Sequence, residues 1–510
     1  MQPRWQRPRN PARKHHDAQA PAGLALGGCH GGLGAMMALG LEPYRLWPLT
    51  LIAFALVIAK AVRGQAAWIG WLAGIGYFGA GLSWIVEPFL IDAARYGWMA
   101  PFALVLMACG LSLFWAAGFW LGAKMPNRPI GLVAGLTLAE FARGYTLTGF
   151  PWALVSHIWV GTPVAQVDAL IGPFGLALLT TLAVALAARL DLRAGLAGGA
   201  MLAAGWAYGL FALSQSDPKA PTVTLRLVQP DATQDAKWDP VHGQMFFDRL
   251  MQATAAPQGP LGKVDLVIWP ETALPYLVED DPTLPLQITN AANGAAVAVG
   301  LQRIETSAEG TRGWNSLKVY GAAGKELAAY DKHHLVPFGE YIPLGDLAYK
   351  WFGLRAFAAQ TGAAYTAGAG PKVLNLGAKL GKVLPLICYE AVFPQGLRTG
   401  ERADWILQIT NDAWFGTVSG PFQHAAQARL RAIEQGLPLV RVANTGLTEI
   451  IDARGRITAS LPFGTNGYLD AALPGALPAP PYARWGEIPA LLLLAGCFLW
   501  ALRKPRATLA

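Results

Sequence analysis

Three ionisable residues stand directly after short apolar segments of the kind that form buried strands. Glu271 follows Val-Ile-Trp-Pro, Lys332 follows Ala-Ala-Tyr-Asp, and Cys388 follows Leu-Pro-Leu-Ile. Neighbouring strands deliver such residues to one edge of a sheet, where a rigid scaffold can hold reactive groups together. A thiol is a poor nucleophile until it ionises, so it needs a base or a nearby cation. Glu271 and Lys332 would supply one each, which predicts nucleophilic catalysis by Cys388.

Each of these residues also has an ordinary structural explanation. A cysteine that ends an apolar strand usually packs as a small hydrophobic residue, a glutamate after Trp-Pro is commonly a turn residue, and a single lysine is usually solvated. The prediction of catalysis therefore depends on all three occurring together and on the motifs around them.

The elements that would position these residues are the strands of an α/β domain. Short runs of apolar and β-branched residues alternate with helical patterns such as 243–255 and 422–435. The Ala/Gly/Pro-rich stretch at 473–481 reads as a linker. The predicted strands are 223–229, 264–269, 295–300, 317–320, 326–330, 383–387, 405–409, 439–442 and 448–451.

The remainder of the chain has the composition of a membrane protein. Of its 510 residues, 53% are hydrophobic and 14% are charged, and the apolar residues crowd into the N-terminal part and the C-terminal end. A helix that crosses a hydrocarbon core of ~30 Å needs about 20 apolar residues. The sequence predicts a polytopic α-helical membrane domain of eight spans at 22–40, 46–62, 66–87, 98–123, 129–147, 164–188, 194–213 and 486–502.

Clusters of Lys and Arg beside these apolar runs determine the expected orientation of the spans in the membrane. The net charge of +8 lies in such clusters rather than along one face with interleaved aromatic residues, which argues against a nucleic-acid partner. If every span is counted, the clusters all fall on one side of the membrane, which is predicted to be the cytoplasm. The predicted parts are a basic cytoplasmic extension (1–21), seven transmembrane helices (22–216), a periplasmic domain (217–485), and a last transmembrane helix with a cytoplasmic tail (486–510).

Two smaller expectations concern Glu140 with Arg143 and the cysteines. Ionisable groups at membrane depth usually pair, so these two residues are predicted to form a buried structural ion pair. Of the four cysteines, only Cys388 lies outside an apolar stretch, which argues against a disulfide framework.

The motifs around the three ionisable residues resemble the carbon-nitrogen hydrolase, or nitrilase, superfamily, and in particular its membrane-embedded acyltransferase branch. The resemblance is carried by Trp-Pro-Glu-Thr-Ala, by Tyr-Asp-Lys-His-His-Leu-Val-Pro-Phe-Gly-Glu-Tyr-Ile-Pro, by Ile-Cys-Tyr-Glu, and by Asn-Asp-Ala-Trp-Phe-Gly at 411–416. It implies an αββα sandwich for the soluble domain. It also implies that Glu271, Lys332 and Cys388 are the catalytic triad, that Glu340 is an additional essential glutamate, and that Trp238, Tyr389 and Glu390 support the site.

The resemblance further implies the reaction. Cys388 would take an acyl chain from a phospholipid as a thioester and pass it to the N-terminal amine of a diacylglyceryl lipoprotein. Lys332 and the backbone N–H of Tyr389 are candidate oxyanion donors, and Glu340 would hold the lysine. Thioester to amide is downhill, so neither a cofactor nor a metal is expected; adjacent histidines His333 and His334 would face opposite sides of a strand.

Because water competes for a thioester, the site should be dry and open toward lipid. The segment 351–370 could be a lid that dips into the outer leaflet, with an ordinary packed loop as the alternative. The candidate lid and substrate-binding residues are Trp351, Phe352, Phe357 and Trp414.

Two other functions are alternative interpretations of the same sequence features. A membrane-tethered nitrilase-like amidase would employ the same triad with water as acceptor, but a tether needs only one span. A transporter or receptor with an inactive extracytoplasmic domain would not need complete Glu, Lys and Cys motifs.

Overall fold

The N-terminal part of the protein is a bundle of apolar helices. The computed structural model describes residues 22–234, 236–237, 239–274, 277–308, 310–343 and 365–504. The bundle helices are α1 (Ala22–Ala38), α2 (Trp47–Arg63), α3 (Ala66–Gly81), α4 (Glu87–Leu90), α5 (Ala93–Tyr96), α6 (Ala100–Ala123), α7 (Arg128–Tyr145), α8 (Asp168–Ala187) and α9 (Leu192–Ser214).

Every predicted apolar run coincides with a helix, and the eighth, 486–502, contains Ile488–Ala501. Three helical stretches of the described residues are long and apolar enough to cross a membrane: Ala93–Ala123, Pro163–Ala187 and Leu192–Ser214. Ala66–Gly81 and Ser83–Leu90 would make a fourth if the bent pair is one span. The number of eight spans therefore stays a prediction, and residues 1–21 lie outside the described chain.

Glycine residues bring the bundle helices into close contact. On α6 and α7, a side chain added at Gly122 would collide with the carbonyl oxygen of Gly131, and one added at Gly135 would collide with that of Gly118. On α1 and α3, Gly34 meets the backbone of Ala73 in the same way. Small residues let apolar helices approach closely and gain dispersion energy where lipid removes the hydrophobic driving force.

The predicted Glu140–Arg143 pair is confirmed. Arg143 Nη2 lies 2.5 Å from Glu140 Oε2, and both side chains are buried. Trp115 donates to the same carboxylate at 2.6 Å, and Arg143 Nη1 donates to the backbone carbonyl of Trp152 at 2.7 Å. The pair thus ties α6 and α7 to the connection that precedes α8.

The soluble domain consists of two six-stranded sheets. Its strands are β1 (Thr224–Gln229), β2 (Leu266–Ile268), β3 (Ala296–Ser307), β4 (Gly310–Tyr320), β5 (Glu326–Asp331), β6 (Leu374–Asn375), β7 (Lys382–Ile387), β8 (Trp405–Thr410), β9 (Leu439–Ala443), β10 (Thr448–Ile451), β11 (Ile457–Leu461) and β12 (Gly467–Ala472). The orders are β12-β1-β2-β3-β4-β5 and β11-β10-β9-β8-β7-β6. Each sheet has a parallel centre, β1-β2-β3 and β7-β8-β9.

The described residues contain further helices, of which the last packs within the core of the helical bundle. They are α10 (Pro240–Ala255), α11 (Leu284–Ala291), α12 (Gly377–Leu380), α13 (Gly420–Gln435), α14 (Pro481–Trp485) and α15 (Ile488–Ala501). The inner faces share one apolar core, to which Leu227 of β1 and Leu407 of β8 both belong. Leu250 of α10 packs on the outside of the first sheet and Ala428 of α13 on the outside of the second. The predicted αββα layering is confirmed.

The nine predicted strands all form, and three further strands, β6, β11 and β12, were not predicted. β6 has two residues, and β11 is a partly exposed edge strand whose pattern of apolar residues is weak. β12 pairs with β1, with Thr224 opposite Ala472. Because the first and last strands of the domain are neighbours, both chain connections to the helical bundle leave from the same edge of one sheet.

The glycine contact between α6 and α7 can be tested with Gly122→Ala. The added methyl group meets backbone atoms of Gly131, so the helices must separate, and overpacking of this kind costs about 1–3 kcal/mol. We expect a lower melting temperature in detergent. Gly110→Ala, on the same helix and with no atom within 4 Å of the added carbon, is the control and should leave the melting temperature unchanged. Equal melting temperatures for both variants would contradict the close contact.

Candidate active site

Cys388 lies at the point where β7 ends and a 3₁₀ helix, Cys388–Val392, begins. Its φ of 53° is in the left-handed region, where a residue with a side chain is strained. The side chain is 5% exposed. Burial raises the pKa of the Cys388 thiol, the Glu271 carboxylate raises it further, and Lys332 offsets only part of this, so the pKa lies above its usual value. The resting group is a neutral thiol that needs a base.

Lys332 follows β5 and is 1% exposed. Its Nζ lies 2.9 Å from Glu340 Oε1 and 3.6 Å from Glu271 Oε1. Burial alone lowers the pKa of Lys332, but Glu340, Glu271 and Cys388 raise it, and the net pKa is above the usual lysine value. Lys332 is therefore an ammonium ion held between two carboxylates.

The two carboxylates are oriented by one amide. Asn315 Nδ2, on β4, donates to Glu271 Oε1 at 2.7 Å and to Glu340 Oε1 at 3.1 Å. The second oxygen of Glu271 accepts from the backbone N–H of Asn411 at 2.8 Å, and that of Glu340 accepts from Val336 N–H at 2.8 Å. Every carboxylate oxygen therefore has a partner, as burial of these charges requires.

The three residues meet because their strands run in the same direction. β2 is parallel to β3, β4 is antiparallel to β3, and β5 is antiparallel to β4, so Glu271 and Lys332 emerge at the same edge. The second sheet brings Cys388 to this edge from β7. The two sheets pack face to face, so the Cys388 thiol faces a carboxylate and an ammonium group that come from the opposite sheet.

Glu390 connects the Lys332 loop to the Cys388 turn. Its Oε1 accepts from the backbone N–H groups of His333 at 2.8 Å and His334 at 3.2 Å, and its Oε2 accepts from Ile387 N–H at 2.8 Å. Tyr330 also donates its hydroxyl to this carboxylate at 2.9 Å. Burial raises the pKa of Glu390, but the contacts with His333 and Ile387 outweigh it and lower the pKa.

The ring of Tyr389 points toward the helical bundle. Tyr389, Val392 and Phe393 belong to the apolar core of the bundle, and the rings of Tyr389 and Phe393 lie 4.9 Å apart, edge to face. Burial raises the pKa of the Tyr389 hydroxyl. The residues that follow the nucleophile thus form part of the contact between the two domains.

Of the other predicted site residues, one is half-buried and the rest lie outside the described residues. Trp414 is half-buried on the 3₁₀ helix Asp412–Phe415. Trp238, Trp351, Phe352 and Phe357 lie outside the described residues. His333 and His334 follow β5, which ends at Asp331, and their backbone N–H groups donate to Glu390. Among the described residues, no group of three or more His, Cys, Asp or Glu side chains is arranged so that it could hold a metal ion.

Sequence reasoning missed several polar residues that hold the site together. Asn315 bridges the two carboxylates. Asparagine is unusual in strands, so a buried amide there was the signal that could have identified it. Lys237 Nζ donates to Thr272 Oγ1 at 2.9 Å, and Thr272 directly follows Glu271 in the chain. The lysine is 3% exposed. Burial lowers the pKa of Lys237 to about 8, against an opposing effect of Glu271.

Comparisons with known proteins match both parts of the chain. A model for the apolipoprotein N-acyltransferase N-terminal domain matches residues 33–186, and a carbon-nitrogen hydrolase model matches residues 225–477. The apolipoprotein N-acyltransferase of Bradyrhizobium diazoefficiens is 38% identical, covering 92% of this chain and 93% of that protein. That of Rhodopseudomonas palustris is also 38% identical, with 93% and 94% covered, and that of Caulobacter vibrioides is 39% identical, with 84% of each covered.

Gly300→Ala tests the placement of Glu271. A carbon added at Gly300 would collide with the Pro270 carbonyl and come within 2.7 Å of Glu271 Cα, so the base must move. We expect alkylation of Cys388 by iodoacetamide at neutral pH to slow by up to about 100-fold, the scale of a 1 Å displacement. Gly313→Ala, whose added carbon has no neighbour closer than 3.8 Å, is the control. Unchanged alkylation in both variants would contradict this placement.

The raised pKa of Cys388 predicts the pH dependence of its reactivity. Since the thiolate is the reacting form, the alkylation rate should increase with pH and still be increasing at the ordinary thiol pKa of about 8.5. Mass spectrometry of the Cys388 peptide after timed iodoacetamide labelling between pH 6 and pH 10 measures it. A plateau already reached at neutral pH would indicate a stable thiolate and contradict the raised pKa.

Proposed function

Because the chain belongs to the apolipoprotein N-acyltransferase family, we propose that it carries out lipoprotein N-acylation through an acyl thioester on Cys388. The acyl donor is a phospholipid and the acceptor is the N-terminal amine of an S-diacylglyceryl-cysteine lipoprotein. The observation that carries the proposal is the buried Lys332 ammonium between Glu271 and Glu340, next to a thiol on a strained turn. An amidase that hydrolyses small amides is less supported, because the relatives that cover most of the chain are named acyltransferases.

In the first half-reaction, Glu271 accepts the proton of Cys388 and the sulfur attacks the ester carbonyl carbon of the phospholipid. The carbon–oxygen bond then breaks, the lysophospholipid oxygen takes the proton from Glu271, and the thioester remains. Lys332 and the backbone N–H of Tyr389 are the proposed oxyanion donors, and removal of one such donor typically costs about 2.7–4 kcal/mol. The contact with Glu340 at 2.9 Å holds the ammonium in position.

In the second half-reaction, the lipoprotein amine attacks the thioester carbon, and Glu271 takes a proton from the attacking nitrogen. The carbon–sulfur bond breaks, the sulfur takes the proton from Glu271 so that the thiol is restored, and the product is an amide. The thioester is the less stable acyl compound, so the transfer needs no nucleotide. The residues of the proposed mechanism supply the base, the cation and the nucleophile without a cofactor.

Contacts between the two domains support a lipid substrate. Tyr389, Val392 and Phe393 are buried in the core of the helical bundle, and Gln395 Nε2 donates to the backbone carbonyl of Gly144 at 3.3 Å. The segment that carries the proposed nucleophile therefore lies against the apolar core of the helical bundle. A phospholipid ester could reach Cys388 without its acyl chain passing through bulk water.

The proposed location follows the distribution of basic residues. The chain is a multi-pass protein of the bacterial inner membrane, with residues 217–485 in the periplasm and both termini in the cytoplasm. The spans then lie in 22–216 and 486–510, and residues 1–21 form a basic extension. The proposed substrate-binding and lid residues would contact the acyl chain or the outer leaflet. They are Trp351, Phe352, Phe357 and Trp414.

The thioester is tested by incubating purified protein in detergent with acyl-labelled phospholipid and analysing its peptides by mass spectrometry. We expect a labelled acyl adduct on Cys388 that is absent from Cys388→Ala and present in Cys497→Ala. A diacylglyceryl-cysteine peptide should discharge the adduct and acquire an amide-linked acyl chain. A wild-type protein without the adduct, or an adduct that water discharges as fast as the peptide does, would contradict the proposal.

A further inference from the structure

A buried histidine lies directly behind the nucleophile. His424 Nε2, on α13, is 3.0 Å from the backbone carbonyl oxygen of Cys388, and Gln408 Nε2, on β8, is 3.3 Å from the same oxygen. Both side chains are fully buried. The Cys388 carbonyl is therefore held by two side chains that come from different elements of the domain.

The other nitrogen of the ring is held by a buried ion pair. His424 Nδ1 lies 2.9 Å from Asp412 Oδ1, and Arg441 Nη2 lies 2.7 Å from Asp412 Oδ2 and 3.1 Å from His424 Nδ1. All three side chains are fully buried. Burial raises the pKa of Asp412, but Arg441 and His424 outweigh it, and the pKa lies below the usual range. Asp412 is therefore a carboxylate that orients the imidazole.

These contacts determine where the ring carries hydrogen. The Cys388 carbonyl can only accept, so the ring nitrogen 3.0 Å from it carries the hydrogen, and His424 Nε2–H donates to the carbonyl. Gln408 Nε2, which lies 3.2 Å from His424 Nε2 and 3.3 Å from the same carbonyl oxygen, then donates to the carbonyl and not to the ring.

That carbonyl belongs to the same planar peptide unit as the backbone N–H of Tyr389. In a trans peptide the C=O and N–H groups point in opposite directions, so holding the carbonyl also sets the direction of the N–H. Cys388 and Tyr389 begin the 3₁₀ helix Cys388–Val392, and the first N–H groups of a helix have no partner within it.

We propose that His424 is a positioning residue that aims the Tyr389 N–H at the oxyanion of the acyl-transfer reaction. Asp412 and Arg441 orient the imidazole, the imidazole holds the Cys388 carbonyl, and the peptide plane carries this orientation to the opposite side. This role rests on the proposed thioester mechanism. In this role, side chains of α13 and β8 orient the Tyr389 N–H, which Glu271, Lys332 and Cys388 do not do by themselves.

Aromatic residues from both domains enclose the His424 ring. The ring of Trp152, from the connection between α7 and α8, stacks on it at 5.7 Å, and Phe415 meets it edge to face at 5.4 Å. Trp152 is itself held by a hydrogen bond from Nε1 to Gln423 Oε1 at 2.8 Å. The ring is thereby confined to one orientation.

The test compares His424→Gln with His424→Asn. The glutamine amide reaches the position of Nε2 and can still donate to Cys388, whereas the asparagine amide is one methylene shorter and cannot. We expect His424→Asn to slow single-turnover acylation of Cys388 by labelled phospholipid by roughly 10²–10³-fold, the effect of losing one oxyanion donor. His424→Gln should retain most of the rate.

Alkylation of Cys388 by iodoacetamide is the second measurement, because displacement at a saturated carbon forms no oxyanion. Both variants should alkylate at the wild-type rate, and the buried His157→Gln should change neither rate. Wild-type acylation in His424→Asn, or a parallel loss of acylation and alkylation, would overturn the positioning role. A wild-type enzyme that forms no acyl adduct would instead refute the underlying thioester mechanism.

If His424→Asn does not fold, Gln408→Leu removes the second donor to the same carbonyl. We expect the same selective loss of acylation, smaller than that of His424→Asn because the 3.3 Å contact is longer. An equal loss of acylation and alkylation in Gln408→Leu would overturn the proposal.

Discussion

The site depends on one buried ammonium ion between two carboxylates. Moving Lys332 out of water would be costly without Glu340 at 2.9 Å and Glu271 at 3.6 Å, and the two carboxylates would repel each other without the lysine and Asn315. Burial raises the pKa of the Cys388 thiol, the Glu271 carboxylate raises it further, and Lys332 offsets only part of this effect. In the proposed mechanism the thiol therefore reacts only when Glu271 takes its proton, which suits a site where water would hydrolyse the thioester.

The same constraint explains why the catalytic domain is joined so closely to the helical bundle. A dry site needs an apolar wall, and Tyr389 and Phe393 extend from the nucleophile turn into the core of the bundle. On the other side, Trp84 and Trp152 of the bundle lie 4.5 Å apart and pack against Phe415. β1 and β12 leave the domain as neighbours, which keeps both connections to the bundle on one side.

Local patterns in the sequence predicted the strands, the helical runs and the residues at the strand ends, because burial on both faces produces continuous apolar segments. They also predicted the Glu140–Arg143 pair. They did not predict Asn315 or His424, whose partners lie far away in the chain, or the exposed edge strand β11, whose pattern of apolar residues is weak.

We infer that Glu271, Lys332 and Cys388 act as one catalytic unit. The most direct measurement is the single-turnover rate of Cys388 acylation in Glu271→Gln, Lys332→Met and the double variant. If the two residues act together, the double variant should be no slower than the slower single variant, because either change already disables the unit. Losses that multiply in the double variant would show that Glu271 and Lys332 contribute independently and would contradict the account.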